Sequence, residues 1–177
     1  RIIFKWPDVA IGFKRIIYGL FLKVVLADNI APMVDTGFSM PIEILSAIDI
    51  WTLAFLFGFQ IYFDFSAYSH IAIGSARLMG IRFPENFNFP YISKSPKEFW
   101  KRWHISLSSW IRDYLYLPLA KIRANGKSIG GLSNAASDKT KNKALFLTWG
   151  IMGLWHGANW TFVFWGVFHS LIIFVYR

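Results

Sequence analysis

The sequence predicts an all-α fold: a polytopic integral membrane protein fragment with transmembrane, re-entrant and interfacial amphipathic helices. Three observations carry that expectation. Apolar residues make up 55% of the 177 and charged residues only 16%, against roughly 25% charged in ordinary globular chains. Eighteen Phe, nine Trp and seven Tyr suit a bilayer, whose interfaces favour Trp and Tyr and whose core favours Phe and Leu. The third is a run of 33 residues, Ala144 to Tyr176, with no Asp, Glu, Lys or Arg.

The elements follow in order. Residues 1–10 read as a loop entering a helix near Pro7 and Asp8. Residues 11–34 form a tilted helix whose Lys14, Arg15 and Lys23 bury their stems and hold their heads at an interface. FSMPIEI (38–44) is a connector around Pro41. The uncharged stretch 50–63, extended past Asp49 and Asp64, is a transmembrane helix. Residues 70–81 are a separate short apolar stretch whose small residues Ala72, Gly74, Ser75 and Ala76 permit close helix approach. Three Pro and two Asn make 82–96 a loop.

Ser95, Pro96 and Glu98 open the next helix in capping-box spacing. It runs on to Pro118 as an amphipathic, interface-lying helix, with Trp100, Trp103, Leu107, Trp110, Ile111 and Tyr114 on one face. Residues 121–143 are basic, Gly- and Ser-rich and lack aromatics, which predicts a solvated cytoplasmic loop. The 33-residue run would be about 50 Å long as one helix, beyond a ~30 Å hydrocarbon core. It is expected to break at 153–159, giving a half-helix and then a span from Trp160 to Tyr176.

The net charge of +9 is uneven: Lys94 to Lys143 holds eleven Lys or Arg and three acids. A basic patch for nucleic acid competes with the positive-inside bias of cytoplasmic loops. The flanking apolar runs favour the second, so no nucleic-acid partner is expected. With no Cys, disulfides, thiolate metal sites and Cys nucleophiles are excluded. The chain begins without Met and ends on Arg177 after an apolar run, and is expected to be an internal fragment.

His156 is the first candidate for chemistry. An ionisable group at membrane depth is costly and marks a functional site, and Gly153 and Gly157 around it allow close approach. The alternative is a packing histidine. His104, on an aromatic and basic helix, is the second. Two imidazoles of unknown separation are a weak metal signal, and no metal is expected. Asp64 and Asp113 are expected in ion pairs, and His70 and His169 carry weaker signals. Nucleotide phosphate-loop and serine-elbow motifs are absent.

The blocks ENFNFPYISKSPKEFWKRWHISLSSWIRDYLYLPL (85–119) and GLWHGANWTFVFWG (153–166), with YFDFSAYSHIAIGSARLMGIRFPENF (62–87) upstream, resemble the membrane-bound O-acyltransferase family. Within it they are similar to the bacterial alginate O-acetylation branch. The resemblance implies a fragment of a single transmembrane domain of that family in the bacterial inner membrane, multi-pass. It implies His156 as the catalytic residue and His104 as its companion. Asn159, Trp155, Asp113 and Arg102 become the supporting candidates, with Asn159, Trp155 or Trp160 as oxyanion donors. The implied reaction moves acetyl groups from a thioester donor, such as acetyl-CoA, toward hydroxyls of an exopolysaccharide such as alginate, with periplasmic acetyltransferase partners and no tightly bound cofactor. Related members transfer D-alanine or acetylate peptidoglycan. Two positions depart from the family pattern: His70 stands where Asp is usual, and Leu119, Ala120 and Lys121 follow Pro118 in place of Gly-Gly. The basic loop either attracts an anionic thioester or only sets topology. A proton-coupled transporter or channel segment is the alternative from another class.

Overall fold

A computed structural model describes residues 6–122 and 137–176. Among them the regular structure is helical and no β-strand is present. The chain divides into two compact units, 1–85 and 86–177.

In the first unit, α1 (Trp6–Leu20), a π-helical stretch (Phe21–Ala27) and α2 (Asp28–Ser39) run on from one another. They lie along α3 (Ala47–Leu78). Ser46 starts α3 with a reciprocal cap: its hydroxyl accepts from the Asp49 N–H, and the Asp49 carboxylate accepts from the Ser46 N–H. The sequence predicts a span ending near 68 and a separate stretch over 70–81, but α3 is continuous. Its 32 residues reach about 48 Å. Asp64 and His70, which look like interruptions, are met by partners on the opposing helix. Lys23 Nζ donates to Asp64 at 2.6 Å and pairs with Asp28 at 2.9 Å. Arg15 Nη1 donates to His70 Nδ1 at 2.8 Å and to Glu85 Oε2 at 3.0 Å. Lys23 and Arg15 therefore face acids and an imidazole. Asp8 and Arg77 close the far end at 2.8 Å. Between these pairs α1 and α3 touch at Gly12 and Gly74, where a Cβ on either would crowd the other's carbonyl.

Among the described residues one helix, α3, is long and apolar enough to cross a membrane, and α8 (Trp160–Val175) is a shorter apolar helix. Trp51, Phe55 and Tyr68 on α3 and Trp160, Phe164 and Val175 on α8 are exposed. Apolar patches of this extent mark a lipid or protein contact.

The second unit opens with a loop and a 3₁₀ turn (Pro90–Ile92), then α4 (Pro96–Arg102) and α5 (Ile105–Ile111). A π-helical turn (Arg112–Tyr116) and α6 (Leu117–Leu119) continue α5. Then come α7 (Asp138–His156) and α8. Ser95 caps α4 by accepting from the Glu98 N–H at 3.1 Å. The Glu98 carboxylate accepts from the Lys94 N–H, one residue before the position of a standard capping box. The single helix predicted from Ser95 to Pro118 is two helices, broken at Trp103 and His104. The loop predicted over 121–143 lies partly outside the described residues. Asp138 to Lys143 form the first turns of α7, capped by Ser137, which accepts from the Thr140 N–H.

The break expected within 153–159 is present: α7 ends at His156 and α8 starts at Trp160. The two helices form a tight hairpin around a core of Leu145, Trp149 and Met152, against which Trp100, Leu107, Ile111 and Trp165 pack. At Gly153 a Cβ would collide with the Phe162 carbonyl, and at Gly166 with the Trp149 carbonyl. A Cβ on Gly150 meets nothing within 4 Å. In the full-length protein, Gly166→Ala should cost about 1–3 kcal/mol through overpacking. Gly150→Ala should instead stabilise by about 0.5–1 kcal/mol through helix propensity. Thermal unfolding in detergent separates the two, and equal shifts would show that backbone contact does not hold the hairpin.

Candidate active site

The turn that carries His104 is built from outside its own helix. His104 has φ 41° and ψ 57°, the left-handed region, which costs an L-residue roughly 1–2 kcal/mol. Neighbouring backbone groups stabilise it. The Ile105 N–H donates to Asn86 O at 2.9 Å, and the Asn88 N–H donates to Arg102 O at 3.0 Å. Asn86 Oδ1 accepts from the Ser106 N–H at 3.2 Å and its hydroxyl at 2.6 Å. Asn86 and Asn88 thereby supply the partners that a helix break exposes.

His156 is the last residue of α7. Gly157 continues in extended backbone, and Asn159 caps α8 by accepting from the Thr161 N–H at 3.1 Å and its hydroxyl at 2.8 Å. The sequence places His156 at membrane depth, inside an uncharged run. In this chain it is exposed, because the hairpin turn carries it to the tip. Its ring is walled by Trp155, Phe162 and Trp165, with centroids at 4.9, 6.4 and 5.1 Å.

His104 is half-buried. Burial holds it below the ordinary histidine value of 6.5, and charge on His156 pushes the same way. The two imidazoles are thus within electrostatic reach. Neither is among the residues that line the pocket of about 460 Å³ in this unit, which is walled by Trp100, Thr148 and Trp149 among others.

The supporting candidates divide. Trp155 touches His156. The Oδ1 of Asn159 is engaged in the cap, which leaves its amide N–H groups to donate. Arg102 donates to Glu98 Oε1 through Nε and Nη2 at 3.0 and 2.8 Å, and to Asn88 O at 3.1 Å, so it fastens α4 to the preceding loop. The Lys94 N–H first, and then the same guanidinium, hold the Glu98 carboxyl below the usual range. Asp113 is bound by Arg112 at 2.7 and 3.2 Å, the expected ion pair. Among the described residues no group of three or more His, Asp or Glu is placed to hold a metal ion.

The sequence reading gave His169 little weight, yet it is the most enclosed imidazole of this unit's aromatic cluster. Its Nδ1 donates to the Trp165 carbonyl at 2.9 Å. Its ring meets Trp165 at 4.3 Å, Trp100 at 5.3 Å and Trp149 at 5.5 Å. The i, i+4 spacing from Trp165 was the available signal. Trp165 therefore stands between His169 and His156.

A family model for the membrane-bound O-acyltransferases matches residues 4–177. The chain belongs to the membrane-bound O-acyltransferase family. It is 45% identical over 166 residues to a protein named probable alginate O-acetylase from Azotobacter vinelandii, covering 94% of this chain and 30% of the relative. It is 41% identical to a peptidoglycan O-acetyltransferase of Helicobacter pylori, over 98% of this chain and 30% of the relative. A teichoic acid D-alanyltransferase of Streptococcus thermophilus is 35% identical, over 89% and 38%. The chain thus spans about a third of the length of these relatives, and membership makes it part of a membrane protein.

The depressed His104 value has a consequence for stability. The unfolded chain binds a proton near 6.5 and the folded chain only at lower pH. Folding stability should therefore fall as pH drops below about 6.5 and level off above it. The difference between wild type and His104→Gln, followed by thermal unfolding from pH 5 to 7.5, should show that slope. A flat difference would mean that His104 is not held neutral by the fold.

Proposed function

We propose that this chain carries the histidine site of a multi-pass O-acyltransferase of the bacterial inner membrane. The reaction moves an acetyl group from a thioester donor, such as acetyl-CoA, toward hydroxyls of an exopolysaccharide such as alginate. It does so directly or through a periplasmic partner acetyltransferase. The observation that carries the reading is His156 at the tip of the α7–α8 hairpin, fixed on one side by aromatic rings and open on the other. The relatives' names support the acyl-transfer class, and the greater identity to the alginate O-acetylase favours acetyl on polysaccharide over D-alanyl transfer.

In the proposed step, neutral His156 takes the proton of the acceptor hydroxyl as its oxygen attacks the thioester carbonyl. The tetrahedral intermediate carries the negative charge on the former carbonyl oxygen. The Asn159 amide N–H groups and the indole N–H of Trp155 are the nearby side-chain donors for it. Collapse breaks the carbon–sulfur bond, and the thiolate takes the proton back from the His156 imidazolium. The acyl group ends on oxygen, no redox change occurs, and no resident cofactor is required. His104 orients a substrate from its strained turn.

In the full-length protein, His156→Ala should reduce acetylated product by about 10²–10⁴-fold while the protein still inserts and folds. Product is read by mass spectrometry of the polysaccharide, and insertion by membrane fractionation. Acetylation at the wild-type rate would reject His156 as the base. A proton-relay role in a transporter would instead leave transfer intact and alter pH-dependent uptake.

His104→Asn should retain more activity than His104→Ala, because Asn tolerates the left-handed backbone. The ratio of the two turnover rates checks the turn's contribution. Equal loss would place all of the effect on the imidazole itself.

A further inference from the structure

The proposed base has no acid behind it. Among the described residues no carboxylate hydrogen-bonds or ion-pairs with His156, and none acts on its charge. The titratable groups toward it are imidazoles. His104, from the turn between α4 and α5, would carry a like charge. His169 of α8 stands behind Trp165. An imidazolium formed at His156 therefore meets aromatic rings rather than a carboxylate.

Those rings are not equivalent. Trp155 lies at 4.9 Å, but it is 64% exposed. Phe162, at 6.4 Å, is beyond the roughly 6 Å over which a ring attracts a cation. Trp165 meets His156 edge to face, with centroids 5.1 Å apart and planes at 79°. It is also the ring fixed from behind, with His169 at 4.3 Å, Trp100 at 5.9 Å and Trp149 at 6.0 Å. His169 is held in turn by its Nδ1 donation to the Trp165 carbonyl. Indole attracts a cation more strongly than the other aromatic side chains. A partner already fixed in place needs no reorganisation when the charge appears.

We propose that Trp165, seated by His169, is the positioning residue of His156, and that its indole face stabilises the imidazolium formed during acyl transfer. The proposal rests on His156 as the base. The proton that His156 takes from the hydroxyl passes on to the thiolate, so the indole exchanges no proton and no electron. It acts while the charge is present and not before, which is the differential stabilisation that raises a rate.

The test uses the full-length protein in detergent, labelled with ¹³C-histidine. NMR follows the titration of the His156 imidazole, whose signal is the one lost in His156→Ala. Trp165→Leu keeps an apolar side chain and removes the π face. It should move the His156 titration down by about 0.5–1.5 pH units. Acetylated product, read by mass spectrometry of the polysaccharide, should form roughly 3- to 30-fold more slowly. Trp165→Phe has a weaker π face and should fall between Trp165→Leu and wild type. A wall that does no more than exclude water predicts the opposite sign, because water admitted beside His156 favours its charged form. A titration that rises or stays in both variants, or one that falls with no slowing of transfer, would overturn the proposal. His169→Ala should also lower the titration, and should add nothing to Trp165→Leu if it acts through Trp165. Additive effects would remove His169 from the proposal. If His156→Ala acetylates at the wild-type rate, the base assignment fails and this proposal with it. If His156→Ala is inactive and the Trp165 variants titrate like wild type, this proposal alone fails.

Discussion

Backbone contact between α7 and α8 is the constraint on which the second unit depends. Gly153 faces the Phe162 carbonyl and Gly166 faces the Trp149 carbonyl, so the helices meet where neither presents a side chain. Two consequences follow from that closeness. The three residues from Gly157 to Asn159 suffice to reverse the chain, which fixes His156 at the turn. Trp149 and Trp165 come within 6.0 Å of each other across the pair, which seeds the aromatic cluster around His169. In a bilayer, where apolar side chains gain little by leaving lipid for protein, such packing is a main source of helix association.

The first unit meets the same environment with charge. Asp64 and His70 on α3 would be costly if left alone in an apolar setting. Lys23 and Arg15 come from the opposing helix, and Asp28 and Glu85 add carboxylates to the two clusters. Removing one partner from such a cluster leaves the rest uncompensated, which is far more costly than the cluster itself. The His70 position illustrates this. An Asp there could pair with Arg15 directly. With His70 present, the carboxylate comes from Glu85, and the imidazole accepts from Arg15.

These particulars explain which features were legible in the sequence. The hairpin break was legible because 33 uncharged residues exceed one crossing and glycines flank the only histidine near the middle. The extent of α3 was not, because Asp64 and His70 look like boundaries until Lys23 and Arg15 are seen opposite them. The break at His104 was also hidden. No Gly or Pro marks it, and the aromatic period runs through it from Trp100 to Tyr114. The structure divides that face. Trp100, Leu107 and Ile111 join the core, Trp103 packs on Phe87 and Phe99, and Trp110 and Tyr114 are exposed. The groups that the break exposes are met by Asn86, some twenty residues away, and no local propensity encodes a partner at that distance. His156 and His104 could be named from residue type and motif, but their exposure could not, since it depends on the hairpin turn and on Asn86.

His169 shows how a fixed wall can serve an exposed imidazole. Its Nδ1 donates to a carbonyl, which can only accept, so the proton is on Nδ1 and the ring cannot flip without losing that bond. The held ring packs against Trp165, and Trp165 packs against His156. Trp100 and Trp149 close the other sides. An exposed histidine on a helix end would otherwise sample several rotamers, and a misplacement of about 1 Å can cost a factor of roughly 10² in rate. Under the proposed reaction, His156 needs one face open to an incoming hydroxyl and the other held still. Rings on a second helix, locked by a third imidazole that touches no substrate, meet both requirements at once. The aromatic excess that first marked this chain as a membrane protein is, in the second unit, the material of that wall.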